Sequence, residues 1–456
     1  MQFLVLDTNI LLLDAYNLIN LGKDGSIIVL PETVLDELDS KKTLLNELGY
    51  QAREVGRLLT RAKKVRTTSD EASTETVLEL EHTTICIAAM HKYDFGPEVG
   101  PNIINDRKII AVAQHYAKVN GDSNVTFISN DIMCRIRADS LCLRTQDLKQ
   151  VEDADISFTK MITVDEDTFR VLHHKPVLEV DPAYKPNYFN YIITSPNTDQ
   201  VKLAIVVDRK LQVIGRDTES DLRRQDIDPA NAEQLFFTRA LQDPSIDINI
   251  CEAKAGSGKT AVAISNGIRN INRHLYDQLI YIRASIDDVD KAEEIGFLSG
   301  NDEKMAVYLH PLHDTLDYIV RNRLKGNKLK GAQLDEKVEE KIAEITKECN
   351  IQAMIGLGLR GRTFNNAYVV IDEAQNQSKA SMQKMLTRFG KGCKIVVIGS
   401  NKQIDNAYLT KYTNGLSVLL DACKFEHPNV TLHAVSLPKV VRGPIAEFAE
   451  DLFSKG

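Results

Sequence analysis

Two groups of residues in this 456-residue chain have the types and spacing for chemistry on phosphates. The first is Ala255-Gly256-Ser257-Gly258-Lys259-Thr260, which follows the strand-like run from Ile248 and leads into the helical pattern Ala261-Val262-Ala263-Ile264. Small residues between a strand and a helix let successive backbone N–H groups turn onto an anion, and the positive end of the helix dipole points at the same place. Lys259 would neutralise the β- and γ-phosphates of ATP, and the Thr260 hydroxyl would hold Mg²⁺. The alternative is a Gly-Ser turn that happens to precede Lys-Thr, and the strand–loop–helix context argues against it. Ala253 stands where the usual pattern has its first glycine, so the start of the loop is expected to differ.

The second group is four carboxylates: Asp7, Glu37, Asp106 and Asp131. Asp7 follows the apolar run Phe3–Leu6, and Asp131 follows Val125–Ile128 across Ser129-Asn130. In the helical pattern Val34–Leu38, Glu37 falls beside the apolar stripe and Asp36 almost opposite it, which makes Glu37 the inward residue. Clustered carboxylates repel one another and so hold hard divalent cations; Mg²⁺ or Mn²⁺ there can activate a water against a phosphodiester. Each Asp taken singly reads equally as a helix cap or a turn residue.

These residues need strands to carry them. Phe3–Leu6, Ile27–Leu30 and Val125–Ile128 read as strands buried on both faces and alternate with helical patterns, which predicts a parallel α/β sheet over residues 1–150 with ligands at the strand carboxyl ends. Residues 151–228 hold short strand-like runs at 160–164, 191–194 and 203–207, a small β-rich connector. The charged stretch Asp217–Asp221 with Arg223-Arg224 reads as an exposed link. Residues 229–456 form a second parallel α/β domain. There Val369-Val370-Ile371 ends in Asp372-Glu373, with Asp372 placed to hold Mg²⁺ through water and Glu373 to polarise the attacking water. Strand patterns at 394–398 and 431–435 precede Gln403, where a γ-phosphate sensor belongs, and Arg442, able to stabilise a transferred phosphoryl group. Gln234, a short helix upstream of the cradle, can read an adenine edge with its amide.

Composition narrows the classes. Hydrophobic content of 43% and charged content of 26% describe globular protein; no apolar run suffices for a membrane span, and Met1–Asp7 lacks the flank of a signal peptide, so a cytoplasmic location is expected. Seven cysteines without a Cys-x-x-Cys pair fit reduced thiols. The net charge of −8 confines nucleic-acid contacts to local basic patches. Arg53, Arg57 and Arg61 would form one such helix face, the alternative being a solvated face. The Lys- and Glu-dense stretch from Arg321 to Glu348 reads as a solvated insertion.

The order and spacing of Asp7-Thr8-Asn9, Glu37-Leu38, Asn105-Asp106 and Ser129-Asn130-Asp131 resemble the PIN-domain ribonucleases. Arg360-Gly361-Arg362-Thr363, Asp372-Glu373-Ala374-Gln375-Asn376, Met385–Gly390 and Gly296–Gly300, with the cradle, resemble the PhoH family of helicase-like P-loop ATPases. The combined resemblance implies a PIN-type sheet, a connector and a PhoH domain. It also implies an ATP-dependent RNA helicase joined to a Mg²⁺- or Mn²⁺-dependent single-strand endoribonuclease whose metal-binding acids are Asp7, Glu37, Asp106 and Asp131. Single-stranded RNA is the implied partner, with DNA as an alternative, in a homo-oligomer for which a hexameric ring is one form. A rival reading is a nucleotide-dependent binding or assembly module with an inactive PIN site. Ala253, Ser299, Ser400 and Gly443 depart from the family pattern, which bears on turnover more than on binding.

Overall fold

The computed structural model describes residues 2–44, 47–92, 101–148, 157–179, 185–196, 198–207, 209–223, 226–283, 302–325, 329–355, 359, 361–406, 409–411 and 413–453. It divides into two compact units, Met1–Ala154 and Asp155–Gly456.

In the first unit, β1 (Phe3–Leu6), α1 (Thr8–Leu13), α2 (Asn17–Asn20), β2 (Ile27–Pro31), α3 (Glu32–Lys41) and α4 (Glu47–Arg61) lead into β3 (Lys63–Ser69), β4 (Ser73–Leu80) and β5 (Thr83–Met90). Then come α5 (Pro101–Asn120), β6 (Val125–Ile128), α6 (Ile132–Ser140) and β7 (Thr145–Gln146). The seven-stranded sheet runs β3-β4-β5-β2-β1-β6-β7. Strands β5, β2, β1, β6 and β7 are parallel, while β3 and β4 fold back as antiparallel neighbours. The parallel sheet that the sequence predicts is present, with an antiparallel pair of strands added at one edge. The reason is legible afterwards: β3 is exposed throughout, rich in Lys and Thr, and lacks the apolar run that marks a central strand.

The second unit begins with β8 (Thr159–Thr163), α7 (Glu166–Val171), β9 (Val177–Glu179), β10 (Asn190–Ser195), β11 (Thr198–Val207) and β12 (Lys210–Val213), a five-stranded sheet of order β8-β10-β11-β12-β9. The exposed link expected at 217–221 is helical, the helix α8 (Arg216–Arg223), with Asp217, Thr218 and Asp221 exposed and the helix anchored by buried Leu222 and by Arg223, whose Nη1 donates to the Pro229 carbonyl at 3.1 Å.

After α9 (Ala232–Leu241) the P-loop sheet starts with β13 (Ile248–Ala253), α10 (Lys259–Asn272) and β14 (Gln278–Arg283). The helices α11 (Asp302–Arg323) and α12 (Ala332–Glu348) precede β15 (Ile351–Ile355), β16 (Ala367–Asp372) and α13 (Lys379–Leu386). The chain closes with β17 (Lys394–Gly399), α14 (Gly415–Ala422), β18 (Leu432–Leu437) and α15 (Pro444–Phe453). All six strands are parallel, in the order β15-β14-β16-β17-β13-β18. Their near-continuous burial explains why the apolar runs were readable, since a sheet covered on both faces leaves no polar alternation.

One further expectation is corrected here. The stretch 321–348 is no solvated insertion: α12 buries Val338, Ile342 and Ile345, and Leu316, Ile319 and Val320 of α11 join the same core. Arg321 pairs with Asp317 and Asp335, and Arg323 with Asp226. The connector, for its part, is packed onto the P-loop sheet. Buried Asn190 donates to the carbonyls of Phe158 and Ala434 at 3.3 and 3.1 Å and accepts from His433 Nε2 at 2.9 Å. Burial lowers the His433 pKa to about 3, so the ring is neutral and can be the donor. No described helix is long and apolar enough to cross a membrane.

Candidate functional site

The phosphate cradle lies between β13 and α10. Ala253 is still within β13, paired with Leu437 of β18, so its backbone is extended and the missing glycine is not needed there. The turn is made further on by Gly256 and Gly258, at φ 70° and 79°, the left-handed region that glycine enters freely. The loop is braced from outside. Val441 N and Arg442 N donate to the Gly256 carbonyl at 2.9 and 3.1 Å, and Gln234 Nε2 donates to the Ser257 carbonyl at 2.8 Å. Ala255 sits at the half-buried crest of the loop. Arg442 thus reaches the cradle through its backbone, with an exposed side chain.

Gln234 corrects an expectation. Its Oε1 accepts from Ala230 N at 2.7 Å while its Nε2 holds the Ser257 carbonyl, and the residue is buried. Both arms of the amide are used inside the chain, so here it braces the loop and presents no edge to a base.

At the mouth of the cradle Lys259 is buried at the first turn of α10, and Thr260 Oγ1 donates to Asp372 Oδ2 at 3.1 Å. The same oxygen accepts from Tyr281 OH at 2.9 Å, and Asp372 Oδ1 accepts from Glu373 N at 2.9 Å. Burial raises the Asp372 carboxyl, the Glu373 charge adds to it, and Lys259 opposes. The Tyr281 phenol is pushed far up by burial and by Asp372, so it serves as a donor. A hydroxyl and a carboxylate side by side next to a buried lysine are hard-oxygen partners for Mg²⁺ with a nucleotide, and the residues fit that group. Glu373 takes a left-handed φ of 55°. The Gln403 side chain is exposed, and among the described residues it makes no hydrogen bond to Lys259, Thr260, Asp372 or Glu373; its backbone carbonyl accepts from Gln375 Nε2 at 2.8 Å. Ser299, with Gly296–Gly300 and Arg360, falls outside the described residues.

Sequence reasoning missed two partners. Tyr281 was hidden in the apolar run of β14, where a tyrosine reads as core. Gln375 lies inside a motif that the resemblance quotes, yet nothing in the sequence indicates what its amide touches.

In the first unit, Asp7 ends β1 and is 6% exposed. Its Oδ1 accepts from Thr8 N at 2.6 Å, and its Oδ2 from Ser129 Oγ at 2.6 Å and Asn9 Nδ2 at 2.7 Å. Burial raises its pKa to about 6 against these hydrogen bonds, with the charges of Asp106 and Glu37 adding. Glu37 is half-buried on α3 and accepts from Thr8 Oγ1 at 2.5 Å and Asn105 Nδ2 at 2.8 Å; Asp36 is exposed. Asp106 pairs with Arg137 at 2.7 Å; burial raises its carboxyl, Arg137 opposes, and Asp131 and Glu37 add. Asp131 caps α6, accepting from Met133 N and Cys134 N at 2.8 and 3.3 Å. The four are electrostatic neighbours with only oxygen donors, which suits a hard divalent cation. Among the described residues, however, no three acidic, His or Cys groups are gathered as a ligand set. Asp106 is drawn toward Arg137, and Glu37 toward Thr8 and Asn105.

Of the three arginines, Arg53 is used inside the chain: its Nη1 donates to the Lys42 and Leu44 carbonyls at 2.5 and 2.7 Å, beyond the end of α3, while Arg57 and Arg61 stay exposed and pair with Glu54 and Glu81.

A parallel α/β sheet with a glycine-turned cradle, a buried lysine and an acidic strand end defines a P-loop nucleotide-binding domain, preceded here by a carboxylate-bearing unit of PIN type. The sequence model for PhoH-like proteins matches residues 226–454 and that for a PIN domain residues 4–149. The chain belongs to the PhoH family of P-loop ATPases, in its PIN–PhoH arrangement. It is similar to Protein PhoH2 of Bacillus subtilis, 28% identical over 467 residues and covering 98% of this chain and 99% of that one. The corresponding proteins of Thermobispora bispora and Mycolicibacterium smegmatis are each 25% identical, covering 98% and 99% of this chain and 95% and 96% of their own.

Proposed function

We propose that this protein is an ATP-dependent RNA helicase or translocase coupled to a metal-dependent single-strand endoribonuclease. One observation carries the ATPase half: Thr260 and Asp372, 112 residues apart in sequence, meet at 3.1 Å beside buried Lys259 at the strand ends. In this reading Lys259 neutralises phosphate charge, Thr260 and Asp372 hold the metal, and Glu373 orients the attacking water. Gln403 and Arg442 approach the γ-phosphate once their exposed side chains turn inward. Bound Mg²⁺, or Mn²⁺, supplies charge neutralisation for ATP and a polarised water at the carboxylate site. The domain limits proposed are 1–150, 151–228 and 229–456, in a cytoplasmic homo-oligomer with a hexameric ring as one form.

For the nuclease half, the support is the electrostatic proximity of Asp7 just past β1, Glu37 on α3, Asp106 on α5 and Asp131 at the start of α6. Asp7 and Glu37 bind through oxygens that Ser129, Asn9, Thr8 and Asn105 now orient, and Arg137 holds Asp106 until the set closes. That same Arg137 pair favours a second reading, in which the acidic site is structural and the chain is a nucleotide-dependent RNA-binding module.

The test is a separation of functions. Asp7→Asn and Asp106→Asn should each abolish Mg²⁺- or Mn²⁺-dependent cleavage of single-stranded RNA and leave ATP hydrolysis at the wild-type rate, because the two sites belong to different units. No cleavage by wild type with either metal supports the binding-module reading. Preferential cleavage of single-stranded DNA would redirect the substrate assignment, since phosphate and metal contacts do not read the sugar.

A further inference from the structure

Gln375 lies just past the acidic pair, fully buried, and its amide bonds leave in three directions. Nε2 donates to Glu373 Oε2 at 2.7 Å and to the Gln403 carbonyl at 2.8 Å, while Oε1 accepts from Ser400 N at 3.0 Å. Asn376 repeats the grip: its Oδ1 accepts from Asp405 N at 2.9 Å and its Nδ2 donates to Asp405 Oδ2 at 3.4 Å. Asn401 Oδ1 in turn accepts from Asn414 Nδ2 and Ser417 Oγ at 2.9 and 3.1 Å, carrying the network to the start of α14. The seat for the amide is built into the fold. A Cβ on Gly399 would lie 2.5 Å from Gln375 Oε1 and 2.9 Å from Leu416 Cδ2, so the strand end is glycine where the amide needs the space. The left-handed backbone of Glu373, a conformation that is strained for a residue with a side chain, is held within the same set of bonds.

We infer that Gln375 is a positioning residue that ties the orientation of the Glu373 carboxylate to the segment 400–405, so that a movement of that segment on nucleotide or polymer binding redirects Glu373. The inference rests on the ATPase reading of this site. An amide suits the role because one NH₂ supplies both donors while the carbonyl accepts. A leucine supplies neither. A carboxylate supplies only acceptors until it is protonated.

The experiment is steady-state ATP hydrolysis by the full chain as wild type, Gln375→Leu and Gln375→Glu, as a function of pH across the range in which each protein keeps a cooperative melt. A fluorescent ATP analogue gives the nucleotide Kd in parallel. Gln375→Leu is expected to lower kcat by about tenfold or more at every pH with Kd within about twofold, the sign of an interaction felt mainly in the transition state. Gln375→Glu should be as slow at high pH and regain activity as pH falls, because the protonated carboxyl again donates to Glu373 and accepts from Ser400. A merely structural role would move the nucleotide Kd and the melting temperature together with kcat, whereas a positioning role lowers kcat with both nearly unchanged. Wild-type rates in Gln375→Leu, or the same flat deficit in both variants, overturn the inference. Should Gln375→Leu lack a cooperative melt, the pH contrast of Gln375→Glu against wild type decides. Absence of wild-type hydrolysis, with or without single-stranded RNA, overturns the ATPase reading and this inference together; wild-type hydrolysis untouched by either variant overturns this inference alone.

Discussion

Replacing Tyr281 by Phe removes one hydroxyl from a fully buried ring and changes little else, which makes it a clean probe of the acidic strand end. The hydroxyl donates to Asp372 Oδ2 at 2.9 Å, and Asp372 keeps two other donors, Thr260 Oγ1 at 3.1 Å and Glu373 N at 2.9 Å. A hydrogen bond to a charged acceptor contributes about 1.5–3 kcal/mol. Because Asp372 is not left bare, the loss should fall near about 2 kcal/mol. A domain of this size melts about 2 °C lower for each kcal/mol, so calorimetry should show a drop of about 4 °C. If the whole effect is also expressed in the transition state, hydrolysis falls at most about 30-fold, and ATP Kd changes less. An unchanged melting temperature together with unchanged kcat would falsify the view that this hydroxyl orients Asp372. A drop several times larger would mean that the ring packing, and not the bond, was lost.

Two further outcomes follow from hydrogen bonds that sequence could not reveal. Arg53→Gln removes the donor to the Lys42 and Leu44 carbonyls and should cost about 1–2 kcal/mol of stability in the first unit, with the salt dependence of RNA binding unchanged; a flattened salt slope in that variant restores Arg53 to phosphate contact. Asn190→Ala strips a fully buried bridge between the connector and β18 and leaves His433 Nε2 without its acceptor, which should cost about 2–4 kcal/mol. Denaturant titration of the two proteins checks this, and overlapping curves would show the bridge to be dispensable.

What could be read from the sequence tracks burial. The strands of the P-loop sheet are apolar along their whole length because both faces are covered, and the cradle and acidic pair sit at their ends where backbone and charge leave few alternatives. The edge of the first sheet was not legible, since β3 is exposed and its residues carry no core pattern. Charge density misled at 321–348, where Val338, Ile342 and Ile345 recur at helical spacing among acids and lysines and anchor α12. Helical spacing misled at Arg53, because a row of arginines says nothing of nearby carbonyls. Residue types marked Asp7, Glu37, Asp106 and Asp131 as a possible set. Only coordinates reveal that Arg137 competes for Asp106 and that Gln234 is spent on the loop beneath the nucleotide site.

The central claim is that the cradle hydrolyses ATP in service of single-stranded RNA, and the rate of ATP hydrolysis with and without that RNA, for wild type and Lys259→Ala, tests it most directly. Lys259 is the buried cation at the cradle, and its loss should cost at least about 3 kcal/mol in the transition state, more than 100-fold in rate. The account predicts wild-type turnover that rises when single-stranded RNA is added, and no measurable turnover in a folded Lys259→Ala protein under either condition. Equal turnover in the two proteins, or a wild-type rate indifferent to RNA, would contradict it.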